Sequence, residues 1–272
     1  MAKGDYTQIH LVMLLGRQKM EMDSIMADNV PSPPYPAPPI VEAMVQFHFA
    51  DQLKKTQNDK LLKRLKSGYS HNVHVQALSA NLDFQNRHAG FVDAEPQLRL
   101  SSNDEADVLI VQSDTLTWSR LAPYQGWDAL LARVKSEFEL ANKATGYRKI
   151  DRLGVRYINR IDVPLTDMNL AHYENYIQVH LKLPPFVDPL DNYAWRFEKV
   201  FRDEGLVAIV QSTTGVPVIP ETIAFVFDID IVAQAELSMK PCDIFAKLES
   251  MRELKNNIFE LSMTNEARKS FQ

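Results

Sequence analysis

The amino-acid sequence predicts an α+β fold: antiparallel sheets with long amphipathic helices, in two pseudo-repeated halves of strand–helix–strands–helix order. Three observations carry this expectation. Apolar and polar residues alternate over 41–49 and 152–163, the period of a half-buried strand. Trp127, Leu130, Leu131, Val134, Phe138 and Ala141, and again Ile244, Leu248, Met251, Leu254 and Ile258, recur at helical spacing. Turn-forming pairs such as Asn103-Asp104 and Ser113-Asp114 separate short alternating stretches in the manner of a meander.

Along the chain, residues 1–30 lack the periodicity of a packed element and hold five methionines by Met26. They read as a leader, disordered or created by a start placed upstream of the natural one near Met26. Six prolines within 31–39 impose an extended, stiff entry packed on the domain. Val41, Ala43, Val45, Phe47 and Phe49 then face one side of a strand, with Glu42, Gln46 and His48 on the other. A helix is expected over 51–66 and a second alternating stretch over 72–84. Three short strands follow at 97–101, 107–112 and 116–120, and the first long helix closes a half spanning 31–145. The second half, 146–272, opens with the strand at 152–163. A short helix is expected over 168–181, strands at 193–201, 206–211 and 222–232, the second long helix, and a last turn capped by Thr264. The halves together form one compact unit, as a single sheet or as two facing ones.

Composition bounds the function. The 272 residues carry 30 Lys and Arg against 35 Asp and Glu, a net charge of −5. No global positive field gathers nucleic acid, so such binding needs a local patch. The single cysteine, Cys242, rules out an internal disulfide or a Cys-rich zinc site and reads as a small apolar cap at a helix start. Only 9 glycines, and no Walker, Rossmann, nucleophile-elbow or His-Glu-x-x-His pattern, leave the common catalytic motifs unfilled. No cofactor is implied. The longest early apolar run, residues 11–15, is too short for a signal peptide or a membrane span, so the expectation is a cytoplasmic protein without membrane contact.

Several phrases resemble a prokaryotic family known as sporadically distributed proteins of unknown function. They are PYPAPPIVEAMVQFHF at 34–49, LRLSSND at 98–104, LAPYQGW at 121–127, RLGVRYINRIDV at 152–163 and IFELSMTNEARKSF at 258–271. The resemblance spans about residues 33–272 in order. It implies the patchy distribution of mobile or defence-associated loci and supplies no activity, cofactor or site residue.

Four constellations could carry chemistry. Arg152, Arg156 and Arg160 share one face of their strand, where guanidiniums could clamp phosphate or carboxylate or pair with acids across strands. Asp228 and Asp230 share a face of the strand at 222–232. They could hold a divalent cation, although a third ligand is not evident, or lie against the arginine row. Lys54, Lys55, Lys60, Lys63, Arg64 and Lys66 make the helix at 51–66 the one basic segment of an acidic chain. This is a docking face for phosphate or an acidic partner, with Lys60, Lys63 and Arg64 foremost, or a plain solvated face. His71 and His74, three apart, point to opposite sides of a strand and lack matching ligands.

The reading favoured is a non-catalytic binding protein: an adaptor, antitoxin-like or chaperone-like partner of a prokaryotic defence or toxin–antitoxin type locus. It has a protein partner, nucleic acid as a further ligand through the basic patch, and self-association as an open option. The alternative is a metal-dependent enzyme on nucleic acid or nucleotides, using Asp228, Asp230 and the arginine row.

Overall fold

In the computed structural model the described residues are 35–75, 78–83, 88–93, 97–165, 173–179, 192–234, 237 and 240–272, with 78–83 and 88–93 described by backbone alone. The elements run β1 (Ile40–Phe49), α1 (Lys55–Leu65), β2 (His71–Val75), β3 (Leu78–Asp83), β4 (His88–Asp93), β5 (Gln97–Ser101), β6 (Asp107–Val111), β7 (Thr115–Leu121), α2 (Trp127–Thr145) and β8 (Ile150–Pro164). They continue with β9 (Ala194–Phe201), β10 (Leu206–Gly215), β11 (Thr222–Ala233), α3 (Pro241–Ser262) and α4 (Asn265–Lys269). The fold is mixed α+β and mostly sheet. The leader and residues 31–34 of the proline-rich entry lie outside the described residues.

Nine strands form one antiparallel sheet in the order β2-β5-β6-β7-β1-β8-β11-β10-β9, with β3 and β4 a separate hairpin. The halves therefore join edge to edge through β1 and β8 rather than facing each other. In each half the opening strand lies centrally and pairs with the last strand, β1 with β7 and β8 with β11, while the intervening strands run outward.

Alternation in each strand sends one set of side chains into the core. Leu100, Leu109, Trp118, Val45, Val155, Ile231 and Ala208 form one continuous cross-strand row, and all are buried. The helices cover this face. Phe138 of α2 meets Phe47 edge to face, and Phe259 of α3 lies against Phe227. The apolar stripes of α2 and α3 are buried as their spacing predicts, except that Ile258 is only half-buried. Burial at about 25 cal/mol per Å² makes this face the main stabilising layer. α2 stops at Gly146, which adopts a φ of 81° that favours glycine and whose N–H bonds the Asn142 carbonyl at 2.9 Å. Thr264 caps α4, its Oγ1 accepting from the Ala267 N–H at 3.2 Å.

Tyr35 shows how the entry segment docks. Its ring meets Phe271 edge to face and its hydroxyl donates to Glu260 at 2.9 Å.

Three expectations need correction. α1 starts at Lys55, not at 51. The N–H of Ala50 bonds the Lys149 carbonyl and that of Leu53 the Ser113 carbonyl, which ties 50–53 to neighbouring loops before a helix can begin. The alternation over 72–84 spans two strands, β2 and β3, in different sheets, because period two does not record where a strand leaves its partner. The helix expected over 168–181 is absent from its described part. Tyr173–Asn175 makes a single 3-10 turn and Ile177 bridges to Met263. The Gln178 N–H goes to the Ser262 carbonyl and the Tyr176 carbonyl accepts from Thr264, so these groups bond the end of α3 instead of one another.

Candidate functional site

Two basic arrays read from the sequence occupy different surroundings. The first is the arginine row of β8, on the sheet face opposite α2 and α3. β8 lies between β1 and β11, with Arg156 directly opposite Asp230 and Ile158 opposite Asp228. Arg156 reaches diagonally to Asp228, its Nε donating at 2.9 and 3.1 Å to the two carboxylate oxygens and its Nη2 donating as well. The Asp228 side chain is only 6% exposed, and Gln211 Nε2 donates to it from β10 at 2.7 Å. This bidentate pairing raises the Arg156 pKa, with the Asp228 hydrogen bond the largest cause.

Arg152 crosses Gly154 to meet Asp230, with Nη2 and Oδ2 3.5 Å apart, and donates to Gln46 of β1. A β-carbon on residue 154 would already touch Arg152 Nη1 and Gln46 Cβ at 3.5 Å, so a longer side chain would displace the guanidinium. Burial raises the Asp230 pKa, against the opposing pull of Arg152 and Arg156. Arg160 binds Asp162 of its own strand through Nε and Nη2, at 2.8–3.1 Å, and the Val216 carbonyl at 2.8 Å. Each arginine thus has a carboxylate, and the three cations meet Asp228, Asp230 and Asp162.

The second array faces a cleft of about 570 Å³ lined by Lys60, Lys63 and Arg64 of α1 and by Lys143 and Ala144 of α2. α1 buries Leu61 and Leu65 and packs on α2. Its lysines are thereby turned outward along the α2 C-terminal turn. Lys143 lies 3.7 Å from Glu139 in an exposed i,i+4 pair, which holds it weakly. Among the described residues, Lys60, Lys63 and Arg64 have no carboxylate partner within ion-pair distance. Lys63 and Arg64 also occupy the last turn of α1, where positive charge complements the helix dipole.

Sequence reasoning found Lys60, Lys63 and Arg64 but missed Lys143, since the packing of α1 on α2 has no local signature. It also missed Gln46 and Gln211, visible only once the strand register is known, and Lys255. Lys255 is buried in α3 with Nζ 3.9 Å from the Tyr157 ring centroid, and burial lowers its pKa to about 7. Tyr157 shares a 2.8 Å hydroxyl contact with Tyr124.

The histidines do not converge. His48 Nδ1 contacts Asp151 Oδ1 at 2.6 Å, while His71 and His74 lie on the exposed strand β2. Among the described residues, no three His, Cys, Asp or Glu side chains cluster as metal ligands would. Cys242 is exposed in the first turn of α3. Among the described residues no helix is long and apolar enough to cross a membrane. No protein-family model matches the chain, and no curated protein matches it.

Proposed function

We propose that this is a non-catalytic binding protein that captures an acidic segment of a protein partner in the cleft between α1 and α2. The observation that carries the reading is the convergence of Lys60, Lys63, Arg64 and Lys143 from two helices on one cleft, three of them without carboxylate partners among the described residues. Unpaired cations in a concave site attract anions without first breaking an internal ion pair. The lining has no aromatic side chain, so it lacks the stacking platform of single-strand binders. In a chain of net charge −5 an isolated basic cleft suits a short acidic segment better than a long polyanion. The sequence resemblance supports the setting: a cytoplasmic adaptor, antitoxin-like or chaperone-like partner in a prokaryotic defence or toxin–antitoxin type locus. The strand order supports taking the two halves as pseudo-repeats, with β1, β7 and α2 corresponding to β8, β11 and α3.

The alternative, a metal-dependent enzyme on nucleic acid or nucleotides, would need Asp228 and Asp230 free for a cation, whereas Arg156, Gln211 and Arg152 already occupy them.

Fluorescence anisotropy with labelled poly-glutamate and single-stranded DNA separates the readings. Poly-glutamate is expected to bind, and to weaken by about tenfold or more in Lys60→Glu/Lys63→Glu/Arg64→Glu, since like charge in place of each cation costs more than about 1.4 kcal/mol in total. Tighter binding of DNA, with cleavage dependent on Mg²⁺ and lost in Asp228→Asn, would replace this reading by the alternative.

A further inference from the structure

β9 ends the nine-stranded sheet, and among the described residues it pairs with β10 alone. Its eight residues run in unbroken register from Phe201 opposite Leu206 to Ala194 opposite Thr213, without a bulge. It contains no proline. A long, regular edge strand is a template for strand addition unless the sequence blunts it, and among the described residues no strand pairs with the outer side of β9. Phe197 and Val200 are 44% and 53% exposed on it, and Trp195 stacks on Phe197 with ring centroids 5.4 Å apart. Arg196 and Glu198, two apart and on one face, are each about half exposed and form an ion pair with each other.

We infer that β9 is the docking edge for β9 of a second copy of this chain, in an antiparallel pair whose two-fold axis passes Phe197. An antiparallel two-fold perpendicular to the sheet keeps the faces of both copies aligned, so opposed residues share a face. Centred on Phe197, Arg196 lies opposite the second copy's Glu198 and Glu198 opposite its Arg196. Trp195 meets Lys199, Ala194 meets Val200, and the two Phe197 rings meet at the axis. Opposite charges on directly facing residues stabilise strand pairing, and like charges oppose it. A slip of the axis to residue 196 sets Arg196 against Arg196. A slip to 198 sets Glu198 against Glu198, and a slip to 199 sets Lys199 against Lys199. The charge pattern therefore favours the register centred on Phe197 over these three slips. The product is one continuous sheet of both copies, with all long helices on the same side.

The test is sedimentation of the full chain over a concentration series, with circular dichroism as the folding control. The wild type is expected to pass from monomer to dimer. Arg196→Glu and Glu198→Arg each place like charges at both crossings and are expected to weaken the dimer by about a hundredfold, or about 2.7 kcal/mol, since like charges facing across an interface oppose association. An equimolar mixture of the two single variants restores opposite charge at both crossings, as does the double exchange Arg196→Glu/Glu198→Arg, so both are expected to dimerise. A wild type that stays monomeric at its solubility limit, open-ended polymers, or single variants that dimerise as well as the wild type would each overturn the inference.

Discussion

The arginine row of β8 and the lysine face of α1 look alike as patterns of regularly spaced positive charge, yet their surroundings differ. On β8 the neighbouring strands stand about 4.8 Å away, and Arg152, Arg156 and Arg160 are each met by Asp230, Asp228 or Asp162. On α1, Lys60, Lys63 and Arg64 face a cleft with no carboxylate partner among the described residues. A central strand cannot keep a line of like charge without compensation, because its neighbours are fixed by register and partly exclude water. An outer helix can, because water screens it. Charge in the sheet is therefore structural, and charge on the helix stays available to a ligand. Lys255 is a third case, a cation buried against the Tyr157 ring.

The largest expected effect tests that buried extreme. Burial lowers the Lys255 pKa from 10.5 to about 7, so between these values the unfolded chain binds more protons than the folded one. Stability from this group is complete above 10.5, is lost as pH falls toward 7, and is flat below. Around it lie the rings of Tyr157 and Phe259, the Arg252 guanidinium, which lowers the pKa further, and the Glu260 carboxylate, which raises it. The Tyr157 face offsets part of the penalty, by about 1–2 kcal/mol. Lys255→Met is expected to be more stable than the wild type at pH 7 by about 2–4 kcal/mol, a shift of a few pH units less the ring contribution. The difference should shrink toward zero by pH 10. Urea melts at several pH values measure it, and a constant difference across pH would remove burial as the cause.

The next effect concerns the sheet. Arg156→Ala strands a carboxylate that is 6% exposed, with Gln211 its remaining donor. The expected loss is about 2–3 kcal/mol, below the 3–5 of a fully buried broken pair because the Arg156 side chain is itself 41% exposed. Asp228→Asn leaves a guanidinium that can turn to water, at a cost of about 1 kcal/mol. The double variant should be non-additive by about 1–2 kcal/mol. Additive losses, or a cost for Arg156→Ala within the surface range, would place β8 in the same class as α1.

The same contrast explains what could be read without a structure. Alternation placed Val155 and Tyr157 inward and Arg156 outward, and helical spacing buried Phe138 and Leu248, since each depends on local period alone. The identity of Arg156's partner depends on β8 lying beside β11 and on register. The first could be guessed from matched strand lengths; the second could not. Lys143 joins the cleft through the packing of α1 on α2, and nothing near position 143 announces it. Lys255 sits one turn from Met251 and beside Leu254 in a buried stripe, where a lysine reads as a polar interruption rather than a core residue. The N–H groups of Ala50, Leu53 and Gln178 go to distant carbonyls, so propensity placed helices where part of the backbone was already engaged.

The smallest effect is the sharpest for the helix. If the cations of α1 serve a ligand and not the fold, removing them should cost almost nothing. Lys60 lies within α1, away from the last turn, so Lys60→Gln is expected to change stability by less than about 0.5 kcal/mol. Lys63 and Arg64 complement the helix dipole from the last turn, so Lys63→Gln and Arg64→Gln should each lose about 0.3–1 kcal/mol at low salt, and less as salt screens the dipole. That ordering, Lys60 below Lys63 and Arg64, separates a dipole contribution from an unrecognised ion pair, which would have no reason to spare the interior position. A loss above 1 kcal/mol for Lys60→Gln in urea melts would mean that a carboxylate holds it, and the cleft would join the arginine row as structural charge.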